Sequence, residues 1–285
     1  MNHLSEGERK DLARRHLDSA ESWLRRLIES KLPNSFGQNY LGSDEVGGCR
    51  LISKEIRRQI YSRYESDRSR FPRLIDAADI GHAIVIVLHP ELYPANFRDA
   101  LQQAYPDGTA EARTFLHRLE KIRNKLAHGG TCSDRDLERA VCYSNDLIDS
   151  IKHHFKEQNM ERQFNVPTFI RVADNRGNVF HLTSAPDQQM HFIDVRQQGN
   201  GDLYVGDELV VEAEVDPSFT GYSLEWMTFS GDVGQGSPMR LQIDLKHVGL
   251  QFDVRFNVRS SEQWHRLHGG IDDMLDLRYR VLPPI

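Results

Sequence analysis

Residues 250–259 read L-Q-F-D-V-R-F-N-V-R, and this run decides how the chain divides. Leu250, Phe252, Val254, Phe256 and Val258 fall on one side, with Gln251, Asp253, Arg255, Asn257 and Arg259 on the other. A period of two marks a strand with one face buried and the other wet. Similar runs precede and follow it: T-F-I-R-V-A and V-F-H-L-T about the turn D-N-R-G-N, then E-L-V-V-E-A-E-V, Y-S-L-E-W-M-T-F, M-R-L-Q-I-D-L and D-L-R-Y-R-V-L. About seven short strands separated by turn signals predict an all-β sandwich over residues 166–285.

Upstream of residue 159 the period is helical. Leu4 to Leu32 reads as one helix, the Gly-rich loop P-N-S-F-G-Q-N-Y-L-G-S-D-E-V-G-G-C-R follows, and a second helical run spans Ser53 to Asp67. The run L-I-D-A-A-D-I-G-H-A-I-V-I-V-L stops at His89-Pro90, and F-R-D-A-L-Q-Q-A-Y stops at Pro106-Asp107-Gly108, leaving a helix from Thr109 to His128. Ser133, with Asp136 three residues on, marks the start of the last helix, whose apolar stripe runs through D-L-E-R-A-V-C-Y-S-N-D-L-I-D-S-I-K-H-H-F. The expected architecture is a multidomain α and β chain: an all-α helical bundle over 1–158, a linker over 159–165 and the β sandwich.

Composition fits two globular units. The chain has 285 residues, 39% of them apolar and 27% charged, enough to bury two cores. No run of apolar residues is long enough for a membrane span and the first residues are polar, so neither a span nor a secretory signal is predicted and a cytoplasmic location is expected. Cys49, Cys132 and Cys142 lack CxxC spacing and suit reduced thiols better than a disulfide frame or a zinc site. Residues 1–160 hold 25 Lys or Arg against 24 Asp or Glu, and residues 161–285 hold 11 against 18, so the net charge of -6 is the sum of +1 and -7. An acidic second half repels phosphate, and any nucleic-acid chemistry is expected in the first. Walker A, G-x-S-x-G and dinucleotide fingerprints are absent, which argues against an NTPase or an esterase.

The stretch with most chemical content is K-I-R-N-K-L-A-H-G-G, residues 121–130. At about 100° per residue, Phe115, Leu119, Ile122 and Leu126 form a narrow apolar stripe, while Glu120, Asn124 and His128 line the opposite side with Arg123 on the flank. Arg118, Lys121 and Lys125 add positive charge. Given 28 Arg and 13 His, an R-x4-H spacing arises roughly once by chance. The second instance, Arg176 to His181, crosses a predicted hairpin turn where successive side chains alternate faces. Arg123 to His128 differs by its context: Asn124 next to the Arg, a helix with its own core stripe, and termination at Gly129-Gly130.

Other polar clusters read as structural. Asp76, Asp79 and His82 interrupt an apolar helix on roughly one face and suit a buried network or a dimer contact. His153 and His154 sit near a helix end, where cations favour the macrodipole. His265, His268, Asp272 and Asp273 belong to a loop feeding a strand, with a metal as the minor alternative. Asp44 and Glu45 are expected to be solvated.

The stretch F-L-H-R-L-E-K-I-R-N-K-L-A-H-G, near the end of a helical domain and followed by one more long helix, resembles the HEPN domains, whose signature is Arg, a polar residue usually Asn, three variable residues and His. The resemblance covers roughly residues 1–158 and is strongest over 91–155. It implies a metal-independent endoribonuclease acting in toxicity or antiviral defence, with Arg123, Asn124 and His128 catalytic, Glu120 in support, Arg118, Lys121 and Lys125 toward RNA, and no metal or other cofactor. It also implies a homodimer that brings two motif helices to one cleft. The chemistry suits those residue types: imidazole titrates in the neutral range and can move protons, and a guanidinium is a planar fork for phosphate. Asn124 would orient His128 or bond substrate. Other members of the family only bind nucleotides or partners, which leaves a non-catalytic adaptor or a nucleotide-binding regulator as the alternatives. In the second half, Y-V-G-D-E-L, Trp226 and H-V-G-L-Q-F-D-V resemble bacterial immunoglobulin-like domains of the polycystic-kidney-disease type, although no cysteine pair flanks Trp226. That likeness implies a sensor or a site for a protein partner.

Overall fold

The computed structural model describes residues 5–68, 70–71, 73–161, 165–182 and 190–284. Two compact units divide the chain, Met1–Glu161 and Arg162–Ile285, so the boundary lies inside the stretch read as a linker. Helices make the first unit and sheets the second, a mixed α and β chain.

In the first unit the helices are α1 (Glu6–Phe36), α2 (Lys54–Ser66), α3 (Ile80–Val87), α4 (Arg98–Leu101), α5 (Thr109–Ala127) and α6 (Asp134–Glu157), with no strand among its described residues. Ser5 starts α1 through a reciprocal cap with Glu8, and Ser133 starts α6 through the same device with Asp136. Helix α1 packs on α3, α5 and α6, and α6 also receives α4 and α5. Trp23, Leu24, Leu27 and Ile28 of α1 and Leu147, Ile148, Ile151 and Phe155 of α6 are fully buried, with the Trp23 and Phe155 rings 6.2 Å apart. Each such side chain contributes roughly 1.5–3 kcal/mol over its exposed state. No described helix is long and apolar enough to cross a membrane.

Two helices differ from the sequence pattern. Helix α1 continues through Pro33 to Phe36. Proline there costs one backbone donor, but Gly37 N–H closes the end on the Pro33 carbonyl at 2.8 Å and Asn34 Nδ2 donates to the Ser30 carbonyl at 3.3 Å. The run 74–88 is not one helix: Leu74–Ala77 is a 3-10 turn, and Asp79, in extended conformation, caps α3. Asp76, Asp79 and His82 therefore do not share a helix face. Asp76 is buried against Arg73, and Asp44, read as solvated, is paired with both Arg57 and Lys54.

The second unit contains β1 (Phe169–Asp174), β2 (Val179–His181), β3 (His191–Asp194), β4 (Asp202–Tyr204), β5 (Glu208–Val215), β6 (Tyr222–Thr228), β7 (Val233–Gln235), β8 (Met239–Gln242), β9 (Gly249–Ser260) and β10 (Asp273–Leu282). One open sheet has the order β2-β1-β5-β8, and the other β3-β10-β9-β6-β7 with β4 also on β10. Phe169, Val172, Leu209 and Val211 of the first sheet and Phe252, Val254, Phe256, Val258, Leu275 and Leu277 of the second enter one buried apolar cluster. Strands β3, β4 and β7 were not legible as alternating runs; each has only three or four residues, and β3 and β4 pair parallel to β10. In β9 the alternation holds from Phe252 to Phe256, Asn257 on the expected wet face is buried, and Leu250 is 74% exposed because it precedes the part of the strand that covers the cluster.

The wet face of β9 is not simply solvated. Asp253 and Arg255 stand directly across from Arg278 and Asp276 on β10, and each pair closes a two-bond fork at 2.7–2.9 Å. Arg280 forks Asp202 of β4 in the same way. These pairs fix register and consume the arginines of this face.

Trp226 packs part of its ring against the apolar cluster, and its far side rests on Gly234 of β7, where a side-chain carbon would lie 2.2 Å from the indole. Gly234→Val is thus expected to lower stability by about 1–3 kcal/mol through overpacking. Urea unfolding followed by tryptophan fluorescence checks this; a variant as stable as the parent contradicts the packing described.

Candidate active site

Helix α5 positions the motif. Ala112, Leu116, Leu119, Ile122 and Leu126 are buried on one side, while Asn124, Lys121, Lys125, Arg118 and His128 are exposed and Arg123 is half-buried on the flank. The helix ends at Ala127. His128 caps it with its N–H on the Asn124 carbonyl at 3.1 Å, the chain turns through Gly129 at φ 69°, and Gly130 N–H reaches the Lys125 carbonyl at 2.8 Å. This is a Schellman-type end, in which a left-handed residue follows the cap. Arg14 of α1 donates to the Leu126 carbonyl at 3.3 Å and ties the same end to the bundle. His128 is thereby placed just past the helix end, with its side chain exposed to solvent.

The polar residues of α5 have partners that the sequence did not show. Arg123 Nη1 lies 3.5 Å from Asn124 Oδ1, so the Asn124 amide faces the guanidinium, and only the Asn124 backbone bonds His128. Glu120 accepts from His117 Nδ1 at 3.1 Å and lies over Gly81 of α3, where a methyl would sit 2.8 Å from its Oε1. The Glu120 carboxylate thus serves His117 and the start of α3, with no bond to Arg123 among the described residues. Lys125 is engaged by Asp136 of α6 at 3.0 Å, whereas Lys121 has no carboxylate partner among the described residues. Arg118 lies over the Phe115 ring at 5.5 Å and reaches Tyr143 Oη at 3.5 Å.

One residue of this face was missed. His117 stands seven residues before Asn124 and eleven before His128, spacings that return to the same helix face, so the signal was present in the sequence. At 1.5 Å rise per residue, His117 and His128 are roughly 16 Å apart along the axis, too far to serve one phosphate. A single chain therefore presents one guanidinium and one imidazole near the helix end.

The remaining candidates are drawn apart. Asp272 accepts from the Ser260 and Arg266 N–H groups and from His265, whereas Asp273 accepts from Phe169 N–H and His191. No group of three possible metal ligands converges among the described residues. Arg176 bonds Asp207 and the Asp202 carbonyl at the β1–β2 turn. No protein-family model matches the chain, and no curated protein sequence matches it.

Beside the motif helix, Arg63 of α2 pairs with Asp79 at 2.6 Å, His82 N–H donates to Asp79 Oδ1 at 3.0 Å, and His82 Nε2 meets Gln59 at 3.0 Å. Burial raises the Asp79 carboxyl, but the His82 ring, the His82 N–H and Arg63 outweigh it and hold the group well below the usual carboxylate range. A folded-state value below the unfolded one of about 4 adds stability that is complete above that value and fades as pH falls toward the folded value. Asp79→Ala is expected to cost about 0.5–2 kcal/mol at pH 7, as loss of an N-cap does, with the deficit shrinking below pH of about 4. Unfolding curves at pH 7, 5 and 3 decide it; a deficit that grows toward acid contradicts the assignment.

Proposed function

We propose that the chain is a metal-independent endoribonuclease of the HEPN kind, acting as a homodimer through its helical unit in toxicity or antiviral defence. The observation that supports this best is the end of α5: Arg123 beside the Asn124 amide, and His128 held by the helix cap at an exposed corner with Lys121 alongside. In the reaction the ribose 2′ oxygen bonds to phosphorus while the bond to the 5′ oxygen breaks. A base takes the 2′ proton, an acid protonates the leaving 5′ oxygen, and the products end in a 2′,3′-cyclic phosphate and a 5′ hydroxyl. Imidazole suits the proton transfers, and the guanidinium suits the charge that gathers on the non-bridging oxygens. One imidazole serves base and acid poorly, and a second copy of α5 in the same cleft supplies the other. The sheet unit, which we read as an immunoglobulin-like sandwich, serves as sensor or docking module. Its forked arginines and net charge of -7 keep it off the RNA.

One observation favours a second reading, a non-catalytic adaptor in which α5 dimerises and the sheet unit recruits a partner. The His128 ring has no hydrogen-bond partner among the described residues, and the helix cap holds only its backbone. Arg123→Ala and His128→Ala separate the two readings. Each is expected to lower cleavage of a labelled RNA by about 10²- to 10⁴-fold with the fold intact; equal cutting by parent and variants sinks the nuclease reading.

If the cleft is shared, mixed dimers of Arg123→Ala with His128→Ala regain measurable cleavage, because one Arg and one His still meet. Native mass spectrometry establishes the mixing. Mixed dimers as inactive as either variant alone contradict sharing.

A further inference from the structure

Along α6, an open groove of about 360 Å³ is lined by Arg135, Glu138, Arg139, Cys142 and Tyr143. Many other arginines are tied to carboxylates: Arg57 to Asp44, Arg63 to Asp79, Arg73 to Asp76, Arg255 to Asp276, Arg278 to Asp253 and Arg280 to Asp202. Here Arg135 has no carboxylate partner among the described residues. Arg139 comes only within 3.9 Å of Asp136, whose other oxygen is held by Lys125 at 3.0 Å. Arg118 of α5, beside the groove, meets the hydroxyl of Tyr143 and no carboxylate among the described residues. Arg135 and Arg139 thus stand beside Glu138, with Arg118 close to Tyr143 and the Asp146 carboxylate 3.8 Å from Cys142 Sγ.

The aromatic component is also built in. Tyr143 is half-buried, and its ring is held edge-on to Phe115 of α5, with centroids 4.8 Å apart and planes at 85°. Phe115 stacks in turn on the buried Tyr105 at 6.0 Å. The orientation of Tyr143 is therefore set by the core, while part of the ring stays at the surface. Cations spaced along a groove with a fixed ring among them are what a single nucleic-acid strand requires: phosphates meet the cations and a base stacks on the ring. From Arg118 to His128 the axis of α5 rises roughly 15 Å, room for a few nucleotides between groove and helix end.

We propose that this groove along α6, with Arg118 of α5 beside it, binds single-stranded RNA, with Arg118, Arg135 and Arg139 on phosphates and Tyr143 under a base, and so delivers the strand to the end of α5. This rests on the reading of the chain as an RNA-cleaving protein, and binding is measured apart from cleavage so that the two fail separately. The probe is a 5′-fluorescein oligouridylate of about twelve nucleotides, within the range of single-strand site sizes. It is titrated by anisotropy into the full chain carrying His128→Ala, across a salt series.

Adding Arg135→Ala with Arg139→Ala is expected to raise Kd at least tenfold and to flatten the slope of log K against log salt by about 1.4, from about 0.7 per phosphate contact. Tyr143→Ala weakens binding at least fivefold and Tyr143→Phe restores it, as stacking requires. Arg240→Ala, in the sheet unit, leaves Kd within twofold. Binding through the groove by a parent chain that does not cut RNA supports this proposal and removes only the nuclease reading. An Arg135→Ala, Arg139→Ala chain that binds and cuts like the parent overturns the proposal alone. So does one that sediments as a monomer with unchanged binding per protomer, which makes the groove a dimer contact.

Discussion

Burial of Leu116, Leu119, Ile122 and Leu126 on one side of α5 fixes the rotation of that helix, and the rest of the helical unit's surface chemistry depends on it. A rotation of one residue would drive Arg123 or Glu120 into the bundle, at a cost of several kcal/mol for an unpaired charge. With the stripe in place, Arg123 is forced to the flank, Asn124, Lys121 and His128 face water, and Arg118 is set against α6. The Schellman-type end then stops the helix before His128 and holds it at a corner. Apolar packing thus decides which polar groups are offered to a ligand.

The two units treat their charges differently. On β9 and β10, Arg255, Arg278 and Arg280 are locked in forked pairs with aspartates on neighbouring strands, which fix register and leave little positive potential. On α5 and α6, Arg118, Lys121 and Arg135 keep their charge outward. A chain of net charge -6 thus still offers exposed cations on its helical unit. Local pairing, and not net charge, determines where a polyanion is attracted.

Much of the fold was legible because burial enforces periodicity. The stripe of α5, the Ser133–Asp136 cap and the alternation from Phe252 to Phe256 are all locally encoded. What stayed hidden depends on distant partners. Strands β3 and β4 exist because β10 offers them a parallel edge, and no three-residue run announces that. Asp79 breaks its apolar run because it caps α3 and meets Arg63 from α2. At the site, the sequence placed Arg123, Asn124 and His128 on α5 but could not show that Glu120 turns to His117 and Gly81, or that Asp136 holds Lys125. Those are tertiary pairings between helices.

Product analysis after incubating the purified full chain with a single-stranded RNA in excess chelator bears most directly on this reading. The expected result is cleavage that leaves 2′,3′-cyclic phosphate and 5′ hydroxyl ends, at a rate unchanged by chelator. Intact RNA, or cleavage that stops in chelator and returns only with a divalent ion, would contradict it.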